Sequence, residues 1–244
     1  MHRKAIRPIL TRIWLEPCPS RHSHVNRTGE KMILALNGSP RVKGNTATML
    51  QSALDGAASV GKETKLIQLY RLNYKGCISC FSCKLKTGRH GHCAMKDELS
   101  PILEMMEQAE AILFGSPIYY GDVTPEMLAL EHRFLFSHML YNRENRWVFP
   151  RRIPSAFIYT FGVTADQTES VLAPFAGMHA RMGDMLGVET KVCCSANAWQ
   201  FSDYSLYEAD RYDPAEKKKY HEEVFPEDCR KAFELGRSLA LMDL

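Results

Sequence analysis

No apolar run in the 244-residue sequence reaches the roughly 20 residues a membrane-spanning helix requires. The first 31 residues also lack the continuous apolar core of a secretory signal. No Ser/His/Asp set and no paired carboxylates stand out, so no hydrolytic site is read. There is no glycine-rich pyrophosphate loop of the dinucleotide-binding kind. Acidic residues are scarce only at the start. Residues 1–31 hold seven Lys/Arg and two Glu, which gives them +5 and leaves −2 for the rest of a chain whose formal charge is +3. The basic pI therefore belongs to this stretch, and no nucleic-acid surface is expected on the remainder.

What remains is a chain with 45% hydrophobic and 24% charged residues, enough for one α/β domain over residues 32–244. Residues 1–31 are read as a basic tail, disordered or dispensable, with a targeting peptide or a translation start at Met32 as alternatives. The eight cysteines fit reduced thiols in the cytoplasm better than a disulfide framework.

The apolar run 32–36 breaks into Asn37, Gly38, Ser39 and Pro40, and a helix-compatible run over 47–60 follows. Strand, tight loop and helix N-terminus in that order suit a phosphate, because free N–H groups and the positive end of the helix dipole meet there. Further strands are expected at 64–70, 111–115, 155–161 and 188–195. Helices are expected at 101–109 with Ser100 as cap, 124–140 capped by Thr124, 166–186 kinked or split at Pro174 and Gly177, from 215, and from 226 to 242. The alternation predicts a doubly wound parallel sheet, and five strands favour the flavodoxin-like order 2-1-3-4-5. In that order ligands bind where winding reverses, at the carboxyl ends of strands one and three. The two most distinctive loops, 37–46 and 116–122, follow those strands.

The motif Gly38-Ser39-Pro40-Arg41 with Gly44-Asn45-Thr46, paired with Ser116-Pro117-Ile118-Tyr119-Tyr120-Gly121, resembles the NADPH-dependent FMN reductases and iron–sulfur flavoproteins. The resemblance runs from about Met32 to Leu244. It implies FMN phosphate contacts from Ser39, Arg41, Asn45 and Thr46. It implies a ring wall from Pro117, Ile118, Tyr119, Tyr120 and Gly121, with Tyr119 or Tyr120 stacking, and a third loop from Thr160, Phe161 and Gly162. Turn formation and capping are the structural alternative for the first set. Relatives often carry Asp-Arg where this chain has His132-Arg133, and a Lys at the place of Leu128. Homodimers or homotetramers are common in the family. The aromatic stretches 141–152 and 199–204 are candidates to cover the ring or a neighbouring subunit, or to pack on their own domain.

Cys77, Cys80, Cys83 and Cys93 form C-x2-C-x2-C-x9-C inside a long segment without periodicity, 71–97. Three thiolates at that spacing can wrap a [4Fe–4S] cluster that a fourth completes. The last gap is longer than iron–sulfur flavoproteins usually show. Packing thiols, a zinc site with His90 and His92 nearby, and a disulfide stay open. Cys193 and Cys194 are read as core residues on alternate faces of a strand.

The resemblance implies an FMN-dependent oxidoreductase that passes reducing equivalents from NAD(P)H to a flavin, quinone, nitro compound or carrier protein, without catalytic side chains of its own. The alternatives are a flavodoxin-like or iron–sulfur electron carrier without NAD(P)H activity, and a cysteine-based redox or metal sensor on the same fold.

Overall fold

A computed structural model describes residues 32–144 and 146–244; the reading of residues 1–31 lies outside them. Five parallel strands form one sheet in the order β2-β1-β3-β4-β5. They are β1 Met32–Asn37, β2 Glu63–Gln68, β3 Ala111–Pro117, β4 Ser155–Thr160 and β5 Lys191–Ser195. The expected order is the observed one.

Both faces of the central strands are apolar, because successive side chains point to opposite sides. Ile33 and Ala35 of β1, Leu113 of β3 and Ile158 of β4 face one layer, built by α1 Asn45–Ala58 and α7 Phe225–Ala240. Leu34, Leu36, Ile112, Phe114, Phe157 and Tyr159 face the other. That layer is built by α2 Ser100–Gln108, α3 Pro125–His138 and α5 Ala176–Leu186. At the β5 edge, Cys193 packs with the first layer and Cys194 with the second.

Several boundaries differ from expectation for identifiable reasons. The 166–186 segment is split as Pro174 requires: α4 Thr168–Leu172, one 3-10 turn at Ala173–Phe175, then α5. Gly177 does not break it: it lies in the first turn of α5, which runs on to Leu186. β5 begins three residues late because Gly187, at φ +69°, turns the chain out of α5 first. Ser100 is not a cap. It is the first residue of α2, and its hydroxyl donates to Met95 O at 2.7 Å and accepts from Asp97 N–H at 3.1 Å. Thr124 does cap α3, accepting from Met127 N–H at 3.4 Å. α6, Pro214–Glu223, is capped by Asp213, whose carboxylate accepts from Ala215 and Glu216 N–H.

Candidate functional site

The loop after β1 is shaped by a buried asparagine. Asn37 Oδ1 accepts from Ser39 N–H at 3.0 Å, and its amide donates to Gln68 at 2.6 Å. Gly38 has no room for a side chain: a Cβ there would sit 2.9 Å from Met127 Cβ and 3.0 Å from Thr124 Oγ1. The chain then enters α1 at Gly44, which offers no side-chain cap, and the first turn carries no acidic residue. The opening N–H groups of α1 thus face outward uncompensated, the condition for receiving an anion.

Thr124 ties this loop to the one after β3. Its hydroxyl donates to Gly38 O at 2.7 Å, and its N–H donates to Ser116 Oγ at 3.1 Å. Beyond Pro117, Tyr119 and Asp122 exchange two backbone hydrogen bonds around Tyr120 at φ +53° and Gly121 at φ +83°. Both central residues are left-handed, as a tight two-residue hairpin turn demands. A third connection joins α1 to β4, where Thr46 Oγ1 and Thr160 Oγ1 lie 2.8 Å apart and are buried.

These loops enclose a pocket of about 600 Å³, part of it open to solvent. Ser39, Arg41, Asn45 and Thr46 line one end. Pro117, Ile118 and Tyr119 come from the second loop, and Thr160, Phe161 and Gly162 from the third. Tyr120 and Gly121 do not line it; Tyr120 is fully exposed at the turn. Ala198, Trp199, Gln200 and Phe201 close the fourth side. This last segment reaches the first loop directly, with Arg41 Nη1 donating to Gln200 O at 2.6 Å and Asn45 Nδ2 to Trp199 O at 3.3 Å. Of the two aromatic stretches, only 199–204 borders the pocket. Trp147 and Phe149 pack on the α3 side of the core instead, Phe149 at 5.7 Å from the Phe134 ring.

Cys77, Cys80, Cys83 and Cys93 converge on a separate small recess together with Arg133. Local spacing brings the first three together; before Cys93 the chain is tied to the end of α3, where Gly91 N–H donates to Ser137 O at 3.1 Å. Ser79 and Phe81 take left-handed φ of +54° and +57°. Such conformations are costly for side-chain-bearing residues and concentrate at functional sites. The Cys80 thiol is held below its usual pKa by the N–H and hydroxyl of Ser82. No disulfide joins any pair of the described cysteines. His90 Nε2 meets Leu85 O at 3.0 Å and His92 faces Glu107, so neither histidine joins the recess. No three His, Cys, Asp or Glu among the described residues group closely enough for a single metal ion. A polynuclear cluster spans thiolates farther apart than one ion does.

Arg133 is buried and pins both ends of the cysteine segment, donating to Lys75 O at 3.2 Å and to Asp97 Oδ2 at 2.5 Å. Its Nε and Nη2 have no hydrogen-bond partner among the described residues. Burial lowers the guanidinium's pKa, but Asp97 and then Cys93 outweigh it, and the net shift is upward. Asp97 balances the charge of this guanidinium, and its Nε and Nη2 are donors left over beside the four thiols.

One buried charge beside the pocket was not legible in the sequence. Lys217 is buried at 1% exposure, and its ammonium donates to Gly162 O, Asn197 Oδ1 and Ala198 O at 2.8, 3.0 and 3.3 Å. Nothing separates it from Lys218 and Lys219 in a polar run.

A doubly wound sheet with its pocket at the β1/β3 reversal defines the flavodoxin-like class of ligand-binding α/β proteins. Residues 32–144 match the model of the family described as NADPH-dependent FMN reductase, and over this segment the chain carries that family's pattern, as its two loop motifs imply. An iron–sulfur flavoprotein of Methanocaldococcus jannaschii is 36% identical over 101 residues, 41% of this chain and 50% of that protein. One from Archaeoglobus fulgidus is 36% identical over 119 residues, 48% of this chain and 56% of its own length. The chain thus spans about half the length of these curated relatives. Among solved structures, the NAD(P)H:quinone oxidoreductase of Methanothermobacter marburgensis superposes with a TM-score of 0.62 at 14% identity, covering 88% of this chain and all of that one. The FMN-dependent NADH-azoreductase of Bacillus anthracis gives 0.59 at 13% identity, over 86% and 99%. At these identities the likeness is one of fold.

Proposed function

We propose that the pocket lined by the three loops and residues 198–201 holds FMN and that the protein is an NAD(P)H-dependent oxidoreductase acting through it. The observation that carries this reading is the convergence of Ser39, Arg41, Asn45 and Thr46 at an uncapped helix N-terminus with the loops after β3 and β4. Hydroxyl, amide and guanidinium donors with idle backbone N–H groups suit a phosphate dianion. The backbone of residues 117–119 and 160–162 presents amide groups along one edge, the chemistry a flavin's polar ring atoms need. Tyr119 and Trp199 supply flat apolar surface. The family match over residues 32–144 supports the same reading.

FMN, when bound, accepts hydride from NAD(P)H and passes the electrons to a flavin, quinone or other acceptor. The chain's part is to fix the phosphate, to hold the ring between the second and third loops, and to leave one face open for each reactant in turn. Two substrates taking the same place predict ping-pong kinetics. The test is a titration of the purified protein with FMN, followed anaerobically by NADH and NADPH. Saturable binding with bleaching of the flavin absorbance is expected. Binding without bleaching would leave the electron-carrier alternative, and no binding would overturn the assignment.

A second site is favoured by the four cysteines on one recess beside the idle donors of Arg133. In this reading Cys77, Cys80, Cys83 and Cys93 ligate a [4Fe–4S] cluster, which supplies one-electron chemistry. α3 then links both sites, with Thr124 at the flavin loops and Arg133 nine residues on, roughly 13 Å along the axis. One FMN with four iron and four acid-labile sulfide per chain, after anaerobic purification, is the expected stoichiometry. Protein with FMN and no iron would overturn the cluster.

A further inference from the structure

α6 is polar all round, and the one residue it buries is a lysine. An apolar anchor would cost less to bury, so the position of this ammonium calls for an account. Lys217 Nζ meets two backbone carbonyls, Gly162 O and Ala198 O, and the side-chain oxygen of Asn197. The Tyr212 ring lies 4.5 Å away. All the acceptors are neutral, and no carboxylate pairs with Lys217 among the described residues; burial alone lowers its pKa. The charge is therefore held and not cancelled.

Its acceptors are not arbitrary. Gly162 and Ala198 both line the candidate flavin pocket. The segments that carry them are already laced together: Ala198 N–H donates to Phe161 O at 2.9 Å, and Asn197 N–H to Val163 O at 2.7 Å. In a trans peptide the N–H points opposite to the C=O. With the Ala198 carbonyl drawn back onto Lys217, the N–H of Trp199 is turned to the other side, and Trp199 itself lines the pocket. A cation at the carbonyl end of a peptide polarises the group and strengthens its N–H as a donor.

We propose that Lys217 is a positioning residue for the ring end of the flavin, one that favours the reduced over the oxidised cofactor by placing an uncompensated positive charge behind the pocket wall. This rests on the pocket holding FMN. Hydride from NAD(P)H brings two electrons and one proton, so without a second proton the ring gains one negative charge. The phosphate has the same charge in both redox states and cancels from the potential, which leaves the ring as the part that senses Lys217. Arg41 and the α1 terminus then hold the ligand, while Lys217 sets how readily it is reduced.

The experiment compares FMN-loaded wild-type protein with Lys217→Met, Asn197→Asp and Lys218→Met by spectroelectrochemical titration. Lys218 has a 64% exposed side chain and is the matched surface neutralisation. Asn197→Asp keeps the clamp and places a carboxylate against the ammonium. Asn197 sits at φ +46°, a conformation Asp tolerates. Lys217→Met and Asn197→Asp are each expected to bind reduced FMN about tenfold more weakly relative to oxidised FMN. That is a fall of about 30 mV in the two-electron midpoint potential; Lys218→Met should match wild type. A purely structural clamp would leave Asn197→Asp at the wild-type potential, which would overturn the proposal. Should Lys217→Met not fold, Asn197→Asp decides alone. Wild-type protein that binds no FMN would overturn the pocket assignment as well, whereas FMN-bound variants at the wild-type potential overturn only the role of Lys217.

Discussion

Arg133 Nη1 and Asp97 Oδ2 meet at 2.5 Å, and this pair closes the cysteine segment onto α3. The guanidinium is fully buried and the carboxylate mostly so. Removing one partner of a buried pair leaves the other charged and desolvated, at about 3–5 kcal/mol. Asp97→Asn is expected to lie near the lower end, because water still reaches the aspartate, and to be read as a lower urea midpoint. Release of the segment should also speed maleimide labelling of Cys83, which the fold buries. Unchanged labelling would mean that Arg133 does not hold the recess closed.

Arg41 reaches across the pocket mouth to Gln200 O at 2.6 Å. A bound phosphate would compete for the same guanidinium and gain a charge-assisted bond. Arg41→Ala is expected to weaken FMN binding by roughly 1.5–3 kcal/mol, or about 10- to 150-fold. Ser39→Ala should cost less, since its Oγ already accepts from Arg41 N–H at 3.2 Å. Flavin fluorescence quenching gives both constants. An Arg41→Ala affinity equal to wild type would remove the arginine from the phosphate site.

How far such sites could be read beforehand depended on whether their chemistry is local in the chain. The strand–loop–helix at 32–58 and the two-faced apolar strands carry their own signal, and they led to the sheet order. Pro174 announced its break. Cys193 and Cys194 announced their alternation. Contacts between distant segments did not. The position of Cys93 beside Cys77 depends on a turn-rich path without periodicity. Arg133 showed in the sequence only as a departure from the Asp-Arg pair of relatives, and its contacts with Asp97 and Lys75 O come from segments 36 and 58 residues away. Lys217 carries no local mark at all, because its role depends on carbonyls 55 and 19 residues away. Tyr119 and Tyr120 were equivalent as letters, and only the left-handed turn at 120 and 121 sends one to the pocket and the other to solvent.

α1 and α7 approach so closely that each needs a glycine. A Cβ on Gly236 would lie 1.8 Å from Ala53 O, and one on Gly56 would lie 2.0 Å from Phe233 O. Both contacts are with backbone, so no rotamer change relieves them. Gly→Ala in a compatible helix usually stabilises by about 0.4–1 kcal/mol. Here Gly236→Ala should reverse that sign and destabilise by about 1–3 kcal/mol or more, as overpacking does. A denaturation midpoint above wild type would contradict the close approach. Because α1 carries Asn45 and Thr46 into the pocket, FMN affinity should fall in the same variant.

Glu131 sits on the inner face of α3 at 1% exposure, and its Oε1 has no hydrogen-bond partner among the described residues. Burial, with a smaller contribution from Asp122, pushes its pKa from 4.5 to about 8. The folded protein therefore holds a proton that the unfolded chain releases near pH 4.5, so the folded state is favoured at low pH. That contribution is complete below pH 4.5 and is lost as pH rises through 8. The full span is on the order of 3–5 kcal/mol. Glu131→Gln keeps the shape and cannot ionise. It should melt with wild type at about pH 5 and clearly above it at about pH 9. His179, which meets Tyr159 OH at 2.9 Å, titrates in the opposite sense because burial lowers its pKa. Its neutral form is thus favoured by folding, so its own effect is to raise stability as pH rises. The Tm–pH slope of Glu131→Gln isolates the glutamate, because His179 is present in both proteins. Parallel slopes would show that Glu131 is ionised in the fold and has a partner that compensates it.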